Sequence, residues 1–346
     1  MSVAQCNYRC QGCNLKPSRG YDDLVGEVEG EREMPVGPAN GFEQPRFANS
    51  STFARLPRID EVNDEASIVI MGVPFDSGVS YRPGARFGPS AIRQGSKLLR
   101  PYHPPFDVEP FNVVQVADAG DVTVNPFNII ETLENVERAA DDHLSKGRRI
   151  ITLGGDHTVA LPLLRAAARH FGSIALVHFD SHLDTWDTYF GAPYTHGTPF
   201  RRAFEENLLA PNSCIHVGTH GPLYARTDLE EDQGFGFALI GAERFTDIGP
   251  IAIGTEIRRR VGDRPVYVSV DIDVLDPAYA PGTGTPEAGG ISSRELLLAI
   301  RAMRGANLIG GDVVEVAPAY DHAEITAIAA AHIAFEMLAL LVAPPH

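Results

Sequence analysis

The chain has 346 residues, of which 44% are hydrophobic and 21% charged, an ordinary globular balance for one large α/β domain or two medium ones. Its net charge of −16 disfavours nucleic acids and anionic membranes as partners. Four cysteines, three of them near the N-terminus, do not form a secreted disulfide framework, and the chain begins without a signal peptide, so we expect a cytoplasmic protein.

The N-terminal part, residues 1–60, is predicted to form a partly irregular extension ahead of a single folded domain over residues 61–346. Gly, Pro, Glu and Arg dominate the extension, and no hydrophobic period holds there. Cys6, Cys10 and Cys13 have the CxxxCxxC spacing that holds an iron–sulfur cluster in radical enzymes. No matching domain follows them, so we favour free thiols over a cluster.

From Ala66 onward, short runs of β-branched and aliphatic residues alternate with segments of helical length. This alternation predicts a parallel sheet covered by helices on both faces, as a single three-layer α/β/α domain with about eight strands. The last helix, over 325–343, is apolar enough for a membrane span, but His332 and Glu336 within it favour a packed helix. The predicted strands are 67–73, 112–116, 149–153, 173–179, 214–218, 237–240, 265–272 and 307–316.

Polar side chains follow four of these strands at their carboxyl ends, where parallel sheets bind ligands. The segments are GGDHT after the third strand, DSHLD after the fourth, DIDVLDP at the seventh and EVAP at the eighth. Because side chains alternate along a strand, Asp180, His182 and Asp184 would share one face if the extended conformation continues. Asp271 and Asp273 would do the same.

Converging carboxylates are costly in a dry site unless a cation neutralises them. Oxygen ligands with one or two imidazoles favour Mn²⁺ over a structural zinc ion, which prefers thiolates. A single ion that keeps one coordination position open needs fewer than six protein ligands. We therefore predict two ions, roughly 3.5–4 Å apart, that share bridging carboxylates and acidify a water molecule.

The motifs GGDHT, DSHLD, THGT and SVDIDVLDP, in this order, resemble those of the ureohydrolases, the family of arginase, agmatinase and related hydrolases of guanidino compounds. The resemblance runs from about Gly72 to Leu341. It implies an arginase-like fold, an eight-stranded parallel sheet with two Mn²⁺ at its edge. It also implies a homo-oligomer, a trimer or hexamer, that hydrolyses a small guanidino substrate to urea and an amine.

The resemblance also assigns roles to individual residues. A water activated by the metals would attack the guanidinium carbon, while Asp184 orients it and helps a proton reach the leaving amine. Glu315 would pair with the guanidinium, and His196 would shuttle a proton or contact the substrate. The ligands would be His157, Asp180, Asp184 and Asp271 for one ion, and His182, Asp180, Asp271 and Asp273 for the other.

Ser181 departs from the family pattern, which has alanine at this position. In an extended segment its side chain would face away from the metals, and its hydroxyl would find a partner in the packing behind. Asp156 and Asp276 belong to the same motifs, but we expect structural roles for both.

The loop over 185–203 resembles agmatinases and guanidino-acid hydrolases more than arginases. Trp186 and Tyr189, with Phe190, would either line a pocket for an aliphatic tail or pack beneath the loop. An acidic residue near the tail would select the ammonium of agmatine, and a basic residue would select the carboxylate of a guanidino acid. The candidates for this role are Asp187, Glu287, Arg82 and Arg86.

The net acidity favours agmatine, which would be cleaved to putrescine and urea. The alternative is a hydrolase of guanidinobutyrate or guanidinopropionate, or an amidinohydrolase of the proclavaminate type. A zinc deacetylase of related fold would use one metal and would not need His157 or Asp273 as ligands. A non-catalytic protein of the same fold would have degraded motifs, whereas the six ligands, His196 and Glu315 are all present.

Overall fold

The fold is an eight-stranded parallel sheet between two layers of helices, which confirms the predicted fold class. The computed structural model describes residues 34–48, 51–62 and 65–344, and Cys6, Cys10 and Cys13 lie outside these ranges. The strand order is β2-β1-β3-β8-β7-β4-β5-β6. The strands are β1 (Ile68–Gly72), β2 (Val116–Asp121), β3 (Arg149–Leu153), β4 (Ala175–Phe179), β5 (Cys214–Thr219), β6 (Phe237–Gly241), β7 (Val266–Asp271) and β8 (Leu308–Val314).

Six of the strands are buried at every position, as expected for a parallel sheet covered on both faces. Helices α1, α8, α9 and α10 pack on one face and α3, α4 and α5 on the other. The helices are α1 (Gly88–Ser96), α2 (Pro110–Val113), α3 (Ile129–Ser145), α4 (Ala160–Phe171), α5 (Pro199–Glu205), α6 (Arg226–Gly234), α7 (Glu243–Ile248), α8 (Pro250–Val261), α9 (Ser293–Ala302) and α10 (Ile325–Val342).

The strand predicted over 112–116 is wrong. Pro110 starts the short helix α2 instead, because its fixed backbone angle and missing N–H suit the first turn of a helix. The strand begins only at Val116 and runs through residues with little β-branched character.

Part of the predicted N-terminal extension packs against the sheet. Phe53 and Leu56 are buried in the core, and the backbone N–H of Phe53 donates a hydrogen bond to Asp118 Oδ2 at 2.7 Å. Packing on the domain therefore begins before the predicted boundary at residue 60.

Helix α10 is long and apolar enough to cross a membrane by length and composition alone. Within the fold, 78% of this helix is buried, and it packs against β8 and α1. Its single carboxylate, Glu336, pairs with Arg301 and lies 2.9 Å from His103 Nε2. These contacts explain how an acidic residue is accommodated in a core helix.

Candidate metal centre

The four strands with polar carboxyl ends are the four central strands of the sheet, in the order β3, β8, β7 and β4. His157 begins a 3-10 turn shortly after β3, and Glu315 directly follows β8. Asp271 is the last residue of β7, and Asp180 directly follows β4. The topology therefore brings these side chains to one place at the sheet edge.

His157 is surrounded by carboxylates. Its Nδ1 lies 2.9 Å from Asp184 Oδ2, 3.2 Å from Asp180 Oδ2 and 3.3 Å from Asp271 Oδ2. This nitrogen is buried, and within the described part of the chain no group forms a hydrogen bond with it. A buried nitrogen without a partner, facing three carboxylate oxygens, fits a cation bound between them.

The other ring nitrogen of His157 fixes its tautomer. Nε2 lies 2.9 Å from Ser269 Oγ, and this hydroxyl donates to Asp312 Oδ1 at 2.6 Å. Since the hydroxyl proton is directed at Asp312, Nε2 must carry the proton that it shares with Ser269. In the neutral ring that metal binding requires, the lone pair is then on Nδ1, directed toward the carboxylates.

A second group of potential ligands adjoins the first. His182 Nδ1 lies 3.3 Å from Asp180 Oδ1 and 3.3 Å from Asp273 Oδ2. The donor atoms of His157, His178, Asp180 and Asp184 lie close enough together to hold a metal ion, as do those of Asp180, His182 and Asp273, so Asp180 is common to both groups.

The pKa values of these groups reflect burial of several charges together. Burial and the charge on Asp180 raise the pKa of Asp184 to about 6. Burial, Asp273 and Asp180 raise the pKa of Asp271 well above its usual value. Burial lowers the pKa of His157, but the surrounding carboxylates outweigh it and hold that pKa well above the usual value. Divalent cations would replace the protons that this cluster otherwise takes up.

Turns bring the aspartates together. The prediction that an extended segment continues through them is therefore wrong. Strand β4 ends at Phe179, and the backbone N–H of His182 donates to Asp180 Oδ1 at 2.6 Å. The backbone N–H of Asp273 donates to Asp271 Oδ1 at 2.9 Å in the same manner. Such carboxylate–amide bonds over two residues are typical of turns formed by aspartate.

The backbone is strained at two site residues. Asp184 has φ 54° and Glu315 has φ 63°, in the left-handed region that residues with a Cβ rarely adopt. Strain of this kind persists where the surrounding structure enforces it, which is frequent at functional sites.

Ser181 does not face the packing behind the site, so that prediction is wrong. Its hydroxyl donates to Asp273 Oδ1 at 2.7 Å, and its backbone N–H lies 3.2 Å from the same oxygen. The turn after β4 rotates the side chain toward the metal centre. Asp156 and Asp276 bind backbone N–H groups of neighbouring loops, in agreement with structural roles.

Glu315 and His196 lie beside the first group. Glu315 Oε1 accepts a hydrogen bond from the backbone N–H of His157 at 2.9 Å and lies 3.4 Å from His196 Nδ1. Glu315 Oε2 is buried, and no described residue forms a hydrogen bond with it. Burial lowers the pKa of His196, but Glu315 outweighs it and raises the pKa to about 9. The orphan oxygen Oε2 is suited to bind a cationic group.

A cavity of about 500 Å³ opens onto His182, Asp184 and His196. Trp186 and Tyr189 form part of its wall, whereas Phe190 is 94% exposed at the tip of its loop. The lining residues are Ser80, Tyr81, Arg82, His182, Asp184, Trp186, Tyr189, His196, Gly197, Pro222, Leu223, Tyr224, Thr285, Pro286 and Glu287.

Two of the four candidates for contact with a substrate tail line this cavity, namely Arg82 and Glu287. The other two are engaged elsewhere. The carboxylate of Asp187 lies 2.6 Å from Arg202 Nη2, and Arg86 forms an ion pair with the buried Asp76.

Sequence reasoning missed His178, which lies directly behind Asp180. Its Nε2 is 2.8 Å from Asp180 Oδ2, and its Nδ1 is 2.7 Å from Nδ1 of His216 on the neighbouring strand. Burial lowers the pKa of His178 to about 3, so the ring is neutral. With both nitrogens engaged, this ring is not free to bind a metal. The i, i+2 series of polar residues from Asp180 to Asp184, extended backwards, would have indicated it.

Comparisons with known proteins agree with this geometry. The family model described as Arginase family matches residues 66–339. The chain is 44% identical to guanidinopropionase of Pseudomonas aeruginosa, over 88% of this chain and 95% of that protein. It is 43% identical to an agmatinase of Enterobacter, over 86% and 95% respectively. The solved structure of proclavaminate amidino hydrolase from Streptomyces clavuligerus superposes with a TM-score of 0.82, at 40% identity, over 88% of this chain and all of that one.

Proposed function

This chain belongs to the arginase family of ureohydrolases, and on that premise we propose that it cleaves a guanidino compound to urea and an amine with two Mn²⁺ per subunit. One observation carries the proposal. Two potential metal groups share Asp180, and beside them Glu315 directs an unpaired carboxylate oxygen into the same buried region.

The proposed ligands are the side chains whose donor atoms converge at the carboxyl ends of the central strands. When bound, two Mn²⁺ ions would supply Lewis-acid polarisation and a nucleophile at neutral pH. The contacts support His157, Asp180, Asp184 and Asp271 for one ion, and His182, Asp180 and Asp273 for the other. We propose Asp271 as a ligand of the second ion as well, because the family resemblance implies it.

Glu315 would position the substrate. Its Oε1 is already held by the backbone N–H of His157, so a guanidinium would donate to the unpaired Oε2. A charge-assisted hydrogen bond to a planar guanidinium also fixes the orientation of the plane. The reacting carbon would then lie next to the metal ligands.

Asp184 and His196 would handle the protons. Asp184 lines the cavity next to the proposed ions, where its carboxylate would accept a proton and help it reach the leaving amine. His196 has its Nδ1 next to Glu315 and its ring at the cavity, where it would pass a proton to the leaving amine.

Agmatine is the substrate that we propose. Trp186 and Tyr189 would contact its aliphatic chain, and the carboxylate of Glu287 in the cavity wall would attract its ammonium group. The similarity to an agmatinase supports this assignment.

A guanidino acid is the second candidate, and Arg82 favours it. Its guanidinium lies over the rings of Tyr81 and Tyr320, at 5.4 and 5.2 Å, and the residue lines the same cavity. A carboxylate tail would pair with this cation. The similarity to guanidinopropionase supports this alternative.

Urea release from a panel of substrates tests the proposal. The purified protein is loaded with Mn²⁺ and given agmatine, arginine, 4-guanidinobutyrate and 3-guanidinopropionate side by side. We expect agmatine to have the highest kcat/KM, and preference for a guanidino acid would select the second candidate. Absence of urea from all four, with Mn²⁺ bound, would contradict both assignments.

A cytoplasmic homo-oligomer of three or six copies stays a prediction from the family resemblance. Light scattering on the purified protein measures the number of copies, and a monomer at micromolar concentration would contradict it.

A further inference from the structure

Helix α6 carries a buried carboxylate that no catalytic motif includes. Asp232 is 1% exposed, although the helix around it is rich in exposed charges. Its Oδ1 lies 3.0 Å from His216 Nε2 and accepts a hydrogen bond from Thr185 Oγ1 at 3.1 Å. One oxygen atom thus connects two separate segments of the chain.

The first segment leads to Asp180 through two imidazoles. His216 and His178 face each other in register on β5 and β4, with 2.7 Å between their Nδ1 atoms. His178 Nε2 then lies 2.8 Å from Asp180 Oδ2. Both rings are fully buried and pack against Phe237 and Phe200, with centroids 4.3 Å apart in each case.

The side chains of Asp180, His178, His216 and Asp232 form a row of three hydrogen bonds, and the donors in this row can be counted. Asp180 accepts, so His178 Nε2 donates to it, and the lone pair on His178 Nδ1 must accept from His216 Nδ1. His216 Nε2 then faces Asp232 Oδ1, and this contact also needs a proton. Three hydrogen bonds require three protons, whereas two neutral imidazoles supply two. The third proton is therefore shared between His216 and Asp232.

The second segment leads to Asp184. Thr185 directly follows this ligand, whose backbone is in the left-handed conformation. The Thr185 hydroxyl is buried and bound to Asp232. The adjacent Trp186 is bound to the same helix, since its Nε1–H donates to Asp228 Oδ2 at 3.3 Å.

We propose that Asp232 is a positioning residue of the metal centre, which orients Asp180 through His216 and His178 and fixes Asp184 through Thr185. This inference rests on the proposed metal-dependent function. By holding the third proton, Asp232 keeps His216 as a donor and so keeps the His178 N–H directed at Asp180. Outer-shell partners of this kind typically contribute about 10- to 100-fold to metal affinity.

Mn²⁺ binding to the full-length protein, measured by titration calorimetry, tests the proposal. Asp232→Leu keeps the approximate size but removes the charge and every polar atom that could bond to His216 or Thr185, and we expect the dissociation constant for Mn²⁺ to rise at least about tenfold. His216→Phe should give a similar loss. The double variant should lose little more than either single one, because both changes break the same row. The matched control is Glu231→Gln, whose exposed side chain on the same helix pairs with Arg201.

The outcomes separate the two proposals. If the wild-type protein binds no Mn²⁺, the proposed function fails. If it binds Mn²⁺ and both Asp232→Leu and His216→Phe bind within twofold of it, the role of Asp232 is wrong and the function stands.

Nitrogen-15 spectra of the imidazoles in the full-length, metal-free wild type provide a readout that does not depend on any variant folding. We expect His178 protonated only at Nε2, and both nitrogens of His216 in contact with a proton. A His178 ring protonated at Nδ1 would overturn the proposal.

Discussion

The hydroxyl of Ser181 donates a hydrogen bond to Oδ1 of Asp273 at 2.7 Å, between the ends of β4 and β7. The other carboxylate oxygen, Oδ2, lies 3.3 Å from His182 Nδ1. Asp273 therefore has Oδ1 held by Ser181, whereas Oδ2 faces His182 and accepts a longer hydrogen bond from Thr285 Oγ1 at 3.3 Å.

Ser181→Ala removes this bond without adding bulk. We expect Mn²⁺ affinity at the site of His182 and Asp273 to fall about tenfold, with the fold unchanged, because the carboxylate loses an outer-shell partner. Calorimetric titration with Mn²⁺ measures the change. Ser77→Ala is the matched control, since its hydroxyl bonds to Pro126 O in an exposed loop. An unchanged titration curve would show that the backbone N–H of Ser181 is sufficient.

Asp180→Asn replaces the carboxylate that is common to both metal groups. Activity should fall by more than about 100-fold, and bound Mn²⁺ should drop below two per chain, because a neutral amide cannot compensate two cations. Metal content by mass spectrometry and urea release provide the two measurements. Asp276→Asn, which changes a turn outside both groups, should keep both values near wild type. Full activity of Asp180→Asn would exclude Asp180 as a shared ligand.

The His196–Glu315 pair predicts a pH dependence of stability. The pKa of His196 is raised from 6.5 to about 9, so its contribution is complete below pH 6.5 and is lost as the pH rises through 9. The loss is at most about 3 kcal/mol. Urea unfolding of the metal-free protein at pH 6, 7.5 and 9 measures it. In His196→Gln the free energy of unfolding should change less between pH 6 and 9 than in the wild type. An equally large change would mean that other groups cause the pH dependence.

Arg82 and Glu287 predict opposite effects on substrate choice. Glu287→Gln should raise KM for agmatine about tenfold more than KM for 4-guanidinobutyrate, because the lost contact with His182 Nε2, at 3.8 Å, affects both substrates alike, whereas only the cationic tail loses a partner. Arg82→Gln should raise KM for 4-guanidinobutyrate about tenfold more than KM for agmatine, because only the anionic tail loses a partner. Steady-state kinetics of both variants with both substrates give the comparison. Equal effects of one variant on the two substrates would indicate a role in shaping the cavity and not in tail recognition.

Phe53→Ala tests whether residues before the predicted boundary belong to the core. The ring is fully buried, so the free energy of unfolding should fall by about 3–5 kcal/mol. Phe47→Ala provides the control, because that ring is 88% exposed and should change stability by less than about 0.5 kcal/mol. Denaturant unfolding at fixed metal concentration measures both. A small effect at Phe53 would mean that this segment is not part of the cooperative unit.

Seven of the eight strands could be predicted from runs of apolar residues between helical segments. The exception, β2, reads VADAGD and lacks that pattern, while the preceding valines belong to a turn started by Pro110. Potential metal ligands could be predicted because parallel strands present their carboxyl ends at one edge. The turns that orient them could not, since they depend on bonds such as that from the His182 N–H to Asp180.

Of the row behind Asp180, which consists of His178, His216 and Asp232, only His178 could have been predicted, and the pairing of the three could not. His178 and His216 lie in apolar runs that are 38 residues apart in the chain, and only the register of β4 and β5 pairs them. Asp232 lies in a helix whose other charges are exposed, so its burial depends on tertiary packing alone. Local patterns in a single sequence do not show which distant strands pair or in which register.

The strand order has a consequence for synthesis on the ribosome. The last two strands, β7 and β8, occupy the middle of the sheet and join β3 to β4. Until residue 314 has emerged, the nascent chain has two half-sheets with exposed edges, and the segments after β3 and β4 that carry the ligands remain apart. We therefore expect the metal centre to form only when translation is nearly complete, and chains stopped before β7 to depend on chaperones to avoid aggregation.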